Sequence, residues 1–199
     1  MILFINACAR SESRTKRLAD ALLSRLTGEI KEIRLKSEDL PCLEDEKILA
    51  RRTEACAQGR TDDPLLAYAR EFASADTAVI AAPLWDLSFP AVLKKYLECV
   101  SAVGVTFRYT PEGVPVGLCR AKKLYYVTTA GGEIFDAGFG YGYVKALATG
   151  MFGIPECALI KAERLDIDPA RAEEILREAM EKIEVRPARQ TIDLPNKTS

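Results

Sequence analysis

Short apolar segments alternate with longer amphipathic segments along most of the chain. Four apolar segments have the length and composition of strands, namely residues 2–7, 79–82, 124–128 and 158–161, and residues 29–35 alternate apolar with charged side chains as an edge strand does. Between them, apolar side chains recur at helical spacing, as Leu18, Leu22 and Leu26 do after the first strand. This order predicts one doubly wound, five-stranded parallel sheet with helices on both faces. We assign the domain to residues 1–186 and a polar C-terminal tail to residues 187–199.

The third predicted strand, residues 79–82, ends in turn chemistry and leads directly into a clear helix. Its small and β-branched side chains indicate a strand that is buried on both faces. Pro90 suits the first turn of the helix, which places Ser88 or Phe89 near the N-cap. Open α/β sheets bind ligands at the carboxyl ends of their strands, so the intervening loop is a candidate binding loop. That loop consists of Pro83, Leu84, Trp85, Asp86 and Leu87.

A second candidate loop, residues 8–15, connects the first strand to the first helix. Unpaired N–H groups and the helix dipole favour an anion at such a helix start, and nearby hydroxyl and guanidinium groups add hydrogen-bond donors. The donors in this loop are Arg10, Ser11, Ser13, Arg14 and Thr15. An ordinary capped helix start in contact with solvent is the alternative interpretation.

The fourth strand is followed by a third candidate loop, Thr129, Ala130, Gly131 and Gly132. Two glycines in series let backbone N–H groups approach a planar ring closely, although a plain tight turn has the same composition.

Two further segments carry turn residues or glycines. Residues 106–117 have the composition of a hairpin or an ordered excursion. Residues 135–142 alternate glycine with aromatic residues, which suits either a mobile lid or an irregular loop.

Composition narrows the function classes. The 199 residues include 28 Lys and Arg against 29 Asp and Glu, a net charge of -1 that does not suit nucleic-acid binding. Histidine is absent, which excludes Ser-His-Asp and Cys-His systems and most zinc sites; we expect no metal. The six cysteines are scattered, and neither a signal peptide nor a membrane span is recognisable, so we expect a cytoplasmic protein with free thiols.

A resemblance adds to this interpretation. Residues 83–96 (PLWDLSFPAVLKKY) and 104–109 (GVTFRY) are similar to the FMN-dependent NAD(P)H azoreductase and quinone reductase family, and the likeness extends over residues 1–153. It implies a flavodoxin-like fold, FMN as cofactor, NADH or NADPH as hydride donor, and a small aromatic electron acceptor. The flavin would carry the chemistry, and no side chain is predicted to be catalytic.

The resemblance also implies site roles and an oligomeric state. It assigns the FMN phosphate to Ser11, Ser13, Arg14 and Thr15, and the flavin ring to Trp85 and the Gly131-Gly132 loop. This chain departs from the family at Ala130, where arginine is usual, and at Asp86, where asparagine is usual. A homodimer is expected, with aromatic residues at the pocket mouth: Phe107, Tyr109, Phe135 and Phe139.

Two other functions remain open from the sequence. Cys8 and Arg14 have the C-x5-R spacing of low-molecular-weight tyrosine phosphatases, and Asp168-Pro169 could supply their general acid, but the loop contains no glycine to wrap a phosphate. The other is a flavodoxin-like electron carrier or regulatory FMN-binding protein, which would use the same site.

Overall fold

The computed structural model describes residues 1–185, and the predicted tail, residues 187–199, lies outside the described residues. Seven strands and six α-helices occur within residues 1–185. In chain order these are β1 (Ile2–Asn6), α1 (Arg14–Leu23), β2 (Ile30–Arg34), α2 (Glu46–Ala57), α3 (Ala67–Ser74), β3 (Thr77–Ala81), α4 (Ala91–Val100), β4 (Phe107–Tyr109), β5 (Pro115–Gly117), β6 (Lys123–Thr129), α5 (Tyr143–Leu147), β7 (Glu156–Ala162) and α6 (Ala172–Glu181).

Five of the strands form one sheet in the order β2-β1-β3-β6-β7, and all of its pairings are parallel. This is the flavodoxin-like order, with its switch point between β1 and β3. The predicted doubly wound, five-stranded sheet is therefore confirmed. β4 and β5 pair separately as the hairpin predicted for residues 106–117.

Alternation along the strands divides the core into two layers. Ile2 and Phe4 of β1 face α1 and α6, whereas Leu3 and Ile5 face α3, α4 and α5. All five residues of β1 are buried, as expected for a strand covered on both faces. β2 lies at the edge of the sheet and is mostly exposed.

Two predictions about helix starts and loops need correction. Pro90 is the N-cap of α4 rather than part of its first turn, because its backbone is extended (φ -55°, ψ 141°). The irregular loop predicted for residues 135–142 is wrong from Gly138 onward, where a π-helical segment, Gly138–Gly142, leads into α5. Asp136 Oδ1 accepts a hydrogen bond from Gly138 N at 2.7 Å and caps that segment.

The hairpin packs directly on the helix end that precedes β7. A Cβ atom on Gly117 would lie 2.1 Å from Gly153 N and 2.2 Å from Phe152 C, which are backbone atoms. Gly153 itself has a left-handed backbone (φ 75°) and ends the helical segment Ala148–Phe152. The two chain segments can approach this closely only because residue 117 has no side chain.

We expect Gly117→Ala to lower the free energy of unfolding by about 1–3 kcal/mol, because the clash is with backbone that cannot rotate away. Gly150→Ala is the control, since a Cβ atom there meets nothing within 4 Å. In a helical segment it should leave stability unchanged or raise it by about 0.5–1 kcal/mol. Urea unfolding of the two variants measures both effects, and a Gly117→Ala protein as stable as wild type would contradict this packing.

Candidate functional site

A cleft opens at the carboxyl ends of β1, β3 and β6, where the three candidate loops meet. It is lined by Ala9, Arg10, Glu12, Ser13, Arg14, Thr15, Pro83, Leu84, Trp85, Thr129, Ala130, Gly131 and Asp166. Four residues predicted for the site are not in this lining: Ser11, Asp86, Leu87 and Gly132. Ser11 lies instead beside a neighbouring groove, together with Lys16 and Arg34.

The start of α1 forms the polar end of the cleft. Ser13 is the N-cap, and its Oγ accepts a hydrogen bond from Lys16 N at 3.2 Å. The N–H groups of Arg14 and Thr15 have no acceptor among residues 1–185. Free N–H groups and the positive end of the helix dipole suit an anionic group here.

Arg14 reaches from this helix start to the loop that follows β7. Its guanidinium donates to Leu165 O at 3.2 Å and to Asp166 Oδ1 at 2.8 Å. The side chain stays about one-third exposed, so it keeps a face toward the cleft. These contacts hold a permanent positive charge beside the free N–H groups of α1.

The side chain of Thr15, which lines the cleft, also makes a contact that the resemblance does not imply. Its Oγ1 lies 2.5 Å from Thr129 Oγ1, and both residues are buried. Because one hydroxyl proton is used in this bond, the pair serves first to tie α1 to the end of β6. This bond therefore fixes the distance between the start of α1 and the end of β6, on which the shape of the cleft depends.

A tight turn holds Trp85 at the cleft. Trp85 and Ser88 exchange two backbone hydrogen bonds, at 3.0 and 2.8 Å, around Asp86 and Leu87. Both central residues have positive φ, 47° and 69°, which is the type I′ turn that normally uses asparagine and glycine. Strain of this kind is concentrated at binding sites. The turn leaves the Trp85 side chain 44% exposed and puts Asp86 and Leu87 on the solvent side.

Ser88 joins this turn to the segment that precedes α5. Its Oγ donates to Phe139 O at 2.7 Å. The loop after β3 and the π-helical segment are thus held together at the mouth of the cleft.

The loop after β6 is held by the loop after β7. Backbone N–H groups of Arg164, Leu165 and Asp166 donate to the carbonyl groups of Gly132, Ala130 and Gly131, at 2.8, 3.2 and 2.9 Å. A Cβ atom on Gly131 would lie 2.2 Å from Asp166 Oδ2, so the glycine makes room for this carboxylate. A Cβ atom on Gly132 would meet nothing within 4 Å.

Sequence reasoning missed Ala9, Glu12 and Asp166. Ala9 and Glu12 belong to the first candidate loop, but neither side chain is a hydrogen-bond donor, and only donor side chains pointed to an anion site. Asp166 lies far along the chain and enters the cleft only through the backbone pairing of the two loops. No local motif marks it.

The cysteine of the phosphatase hypothesis is in the wrong place. Cys8 is 4% exposed and does not line the cleft, and its thiol lies 3.8 Å from Ala81 O, to which it donates. Burial raises the pKa of this thiol, so it stays protonated at neutral pH. Asp168 is exposed and also lies outside the lining. Neither Cys8 nor Asp168 therefore lies where the phosphatase hypothesis requires it.

The described residues contain neither a candidate metal centre nor a helix that could span a membrane. Residues 1–185 contain no group of three or more His, Cys, Asp or Glu side chains arranged to hold a metal ion. In the same part of the chain, no helix has the length and apolarity required to cross a membrane.

The chain is similar to known proteins over most of its length. A family model described as a flavodoxin-like fold matches residues 1–186. The chain is 37% identical over 194 residues to "FMN-dependent NADH:quinone oxidoreductase 2" of Clostridium acetobutylicum, covering 91% of this chain and 94% of that protein. It is 35% identical to the "FMN-dependent NADH:quinone oxidoreductase" of Clostridium beijerinckii, with 91% and 94% covered.

Solved structures of azoreductases have the same fold as this chain. The azoreductase from Bacillus anthracis strain Sterne superposes with a TM-score of 0.66 at 27% identity, over 91% of this chain and 95% of that one. An FMN-dependent NADH-azoreductase from Bacillus anthracis strain Ames Ancestor, in complex with FMN, shares the fold at a TM-score of 0.72 and 24% identity, over 90% and 95% of the two chains. The chain belongs to the flavodoxin-like family of FMN-dependent NAD(P)H azoreductases and quinone reductases.

Proposed function

We propose that the protein is an FMN-dependent oxidoreductase that takes hydride from NADH or NADPH and reduces quinones, azo compounds or related aromatic molecules. The observation that carries this proposal is the cleft itself, which joins an anion-binding helix start to an aromatic loop at the switch point of the sheet. The relatives with 37% and 35% identity are named NADH enzymes, which favours NADH as the donor.

The residues that line the cleft have the chemistry needed to hold both the phosphate and the ring of FMN. The free N–H groups of Arg14 and Thr15, with the guanidinium of Arg14, would hold one phosphate; Arg10 and Ser13 line the same end. Pro83, Leu84, Trp85 and the loop of Ala130 and Gly131 would hold the ring. The G-x-G-x-x-G sequence of dinucleotide sites is absent from the chain, which favours FMN over FAD.

When bound, FMN supplies both the acceptance and the donation of hydride. The protein itself binds, orients and partly screens the reactants. Because the chain has no histidine, none of its side chains has an ordinary pKa near neutrality. We therefore expect the flavin and water to supply the protons, although two acids, Glu12 and Asp166, line the cleft.

Two further assignments belong to this proposal. One is a cytoplasmic location, because all six cysteines are free and free thiols persist in a reducing compartment. The other is a single domain over residues 1–186, which is supported by a continuous sheet whose two core layers together draw on residues from the first strand to the last helix.

The binding of FMN is tested with Arg14→Ala. Losing a hydrogen bond to a charged phosphate should weaken FMN binding by roughly tenfold or more, measured by quenching of flavin fluorescence. Arg17→Ala is the matched control, since Arg17 pairs with Glu173 outside the cleft and should leave the FMN Kd unchanged. Cys8→Ser should leave quinone reductase activity largely intact. Equal FMN affinity in the Arg14 and Arg17 variants would contradict the assigned phosphate site.

We expect ping-pong kinetics, because nicotinamide and acceptor would stack in turn on the same face of the flavin ring, framed by Trp85 and the Gly131-Gly132 loop. Initial rates measured with varied NADH at several fixed quinone concentrations should give parallel double-reciprocal lines. Intersecting lines would mean that both substrates bind together. An electron carrier would instead show little turnover with small quinones.

A homodimer with the flavin sites at the subunit interface is also proposed. Large apolar side chains are exposed around the cleft mouth, among them Trp85, Leu87, Phe135 and Phe139. Phe107, which the sequence suggested for this surface, is 4% exposed and belongs to the core, whereas Tyr109 is exposed. Light scattering should give twice the chain mass of 21.9 kDa. A fully active monomer would contradict a shared site.

A further inference from the structure

Asp166 lies between the two ends of the cleft. One carboxylate oxygen, Oδ1, accepts from the Arg14 guanidinium at the phosphate end, at 2.8 Å. The other oxygen, Oδ2, lies over Gly131 at the ring end, so close that a Cβ atom on Gly131 would be 2.2 Å away. A single side chain therefore bridges the two halves of the proposed FMN site.

The position of this side chain is set by the backbone. The N–H of Asp166 donates to Gly131 O at 2.9 Å, and the N–H of the buried Leu165 donates to Ala130 O at 3.2 Å. Arg14 adds a hydrogen bond to Leu165 O. The carboxylate is consequently presented at a fixed place, even though 67% of its side chain is exposed.

The unused oxygen indicates what Asp166 binds. Oδ2 accepts no hydrogen bond from any residue in the range 1–185. An ionised carboxylate is an acceptor only, so its natural partner is a group rich in donors. A phosphate has no such donors, and a flat ring has few of them. The part of FMN between the phosphate and the ring is the ribityl chain, which carries three hydroxyl groups.

We infer that Asp166 is a cofactor-binding residue that accepts hydrogen bonds from the ribityl hydroxyls of FMN. The inference rests on the proposed function and adds a third contact region to it. Arg14, which belongs to the proposed phosphate site, pairs with Asp166, and its positive charge offsets the repulsion that a carboxylate would exert on a phosphate.

Three flavins of different length separate this role from its rivals. FMN has phosphate, ribityl chain and ring; riboflavin lacks the phosphate; lumiflavin has only the ring. Asp166→Ala keeps Cβ, so the backbone pairing with residues 130–132 is retained. We expect its Kd to rise about tenfold for FMN and by the same factor for riboflavin, with lumiflavin unchanged. Asp166→Asn retains one acceptor oxygen and should show a smaller rise of the same pattern.

Asp168→Ala is the control, because Asp168 is an exposed aspartate two residues away that does not line the cleft. It should bind all three flavins as wild type does. A change confined to FMN would mean that Asp166 acts on the phosphate through Arg14, and an equal change for all three would mean that it acts on the ring loop. Either result, or no change, would overturn the inference. Those results presuppose a wild-type protein that binds FMN; a wild-type protein that binds none would contradict the proposed function as well.

Discussion

Hydrogen bonds that continue past the ends of the parallel strands are the constraint on which the site depends. They join the first residues of each loop to the neighbouring strand, at Ala7 N to Ala81 O, Ala82 N to Val127 O, Leu84 N to Thr129 O and Ala130 N to Ala162 O, with distances of 2.8 to 3.0 Å. Because these bonds extend the sheet into its loops, the loops begin in register with one another. A helix start, an aromatic turn and a glycine loop are thereby brought to one cleft.

Within that frame, long-range contacts decide which side chains face the cleft. The bond between Thr15 and Thr129 fixes α1 against β6, and the pairing of residues 164–166 with residues 130–132 fixes the glycine loop. Local strain contributes too, since the turn at Asp86 and Leu87 adopts positive φ at both residues and turns their side chains away from the lining. Trp85 remains at the cleft as a result.

The sequence predicts those parts of the structure that local patterns determine. Buried strands such as residues 79–82 and helix-start residues such as Ser13 are recognised from composition and spacing alone. Asp166 could not be, because its place depends on pairing between two loops about 35 residues apart in the chain. Gly131 was noted for its backbone freedom, but the structure gives another reason for it, the room required by the Asp166 carboxylate. The π-helical segment at residues 138–142 was missed because its glycines disfavour a helix locally, whereas the cap from Asp136 and the bond from Ser88 stabilise it.

The proposed function gives the redox chemistry to FMN bound in the cleft at the switch point of the sheet. Mass analysis of the flavin released from purified protein, after reconstitution with an equimolar mixture of FMN and FAD, tests this most directly. We expect FMN, at one molecule per chain. Recovery of FAD, or of no flavin, would contradict FMN as the cofactor.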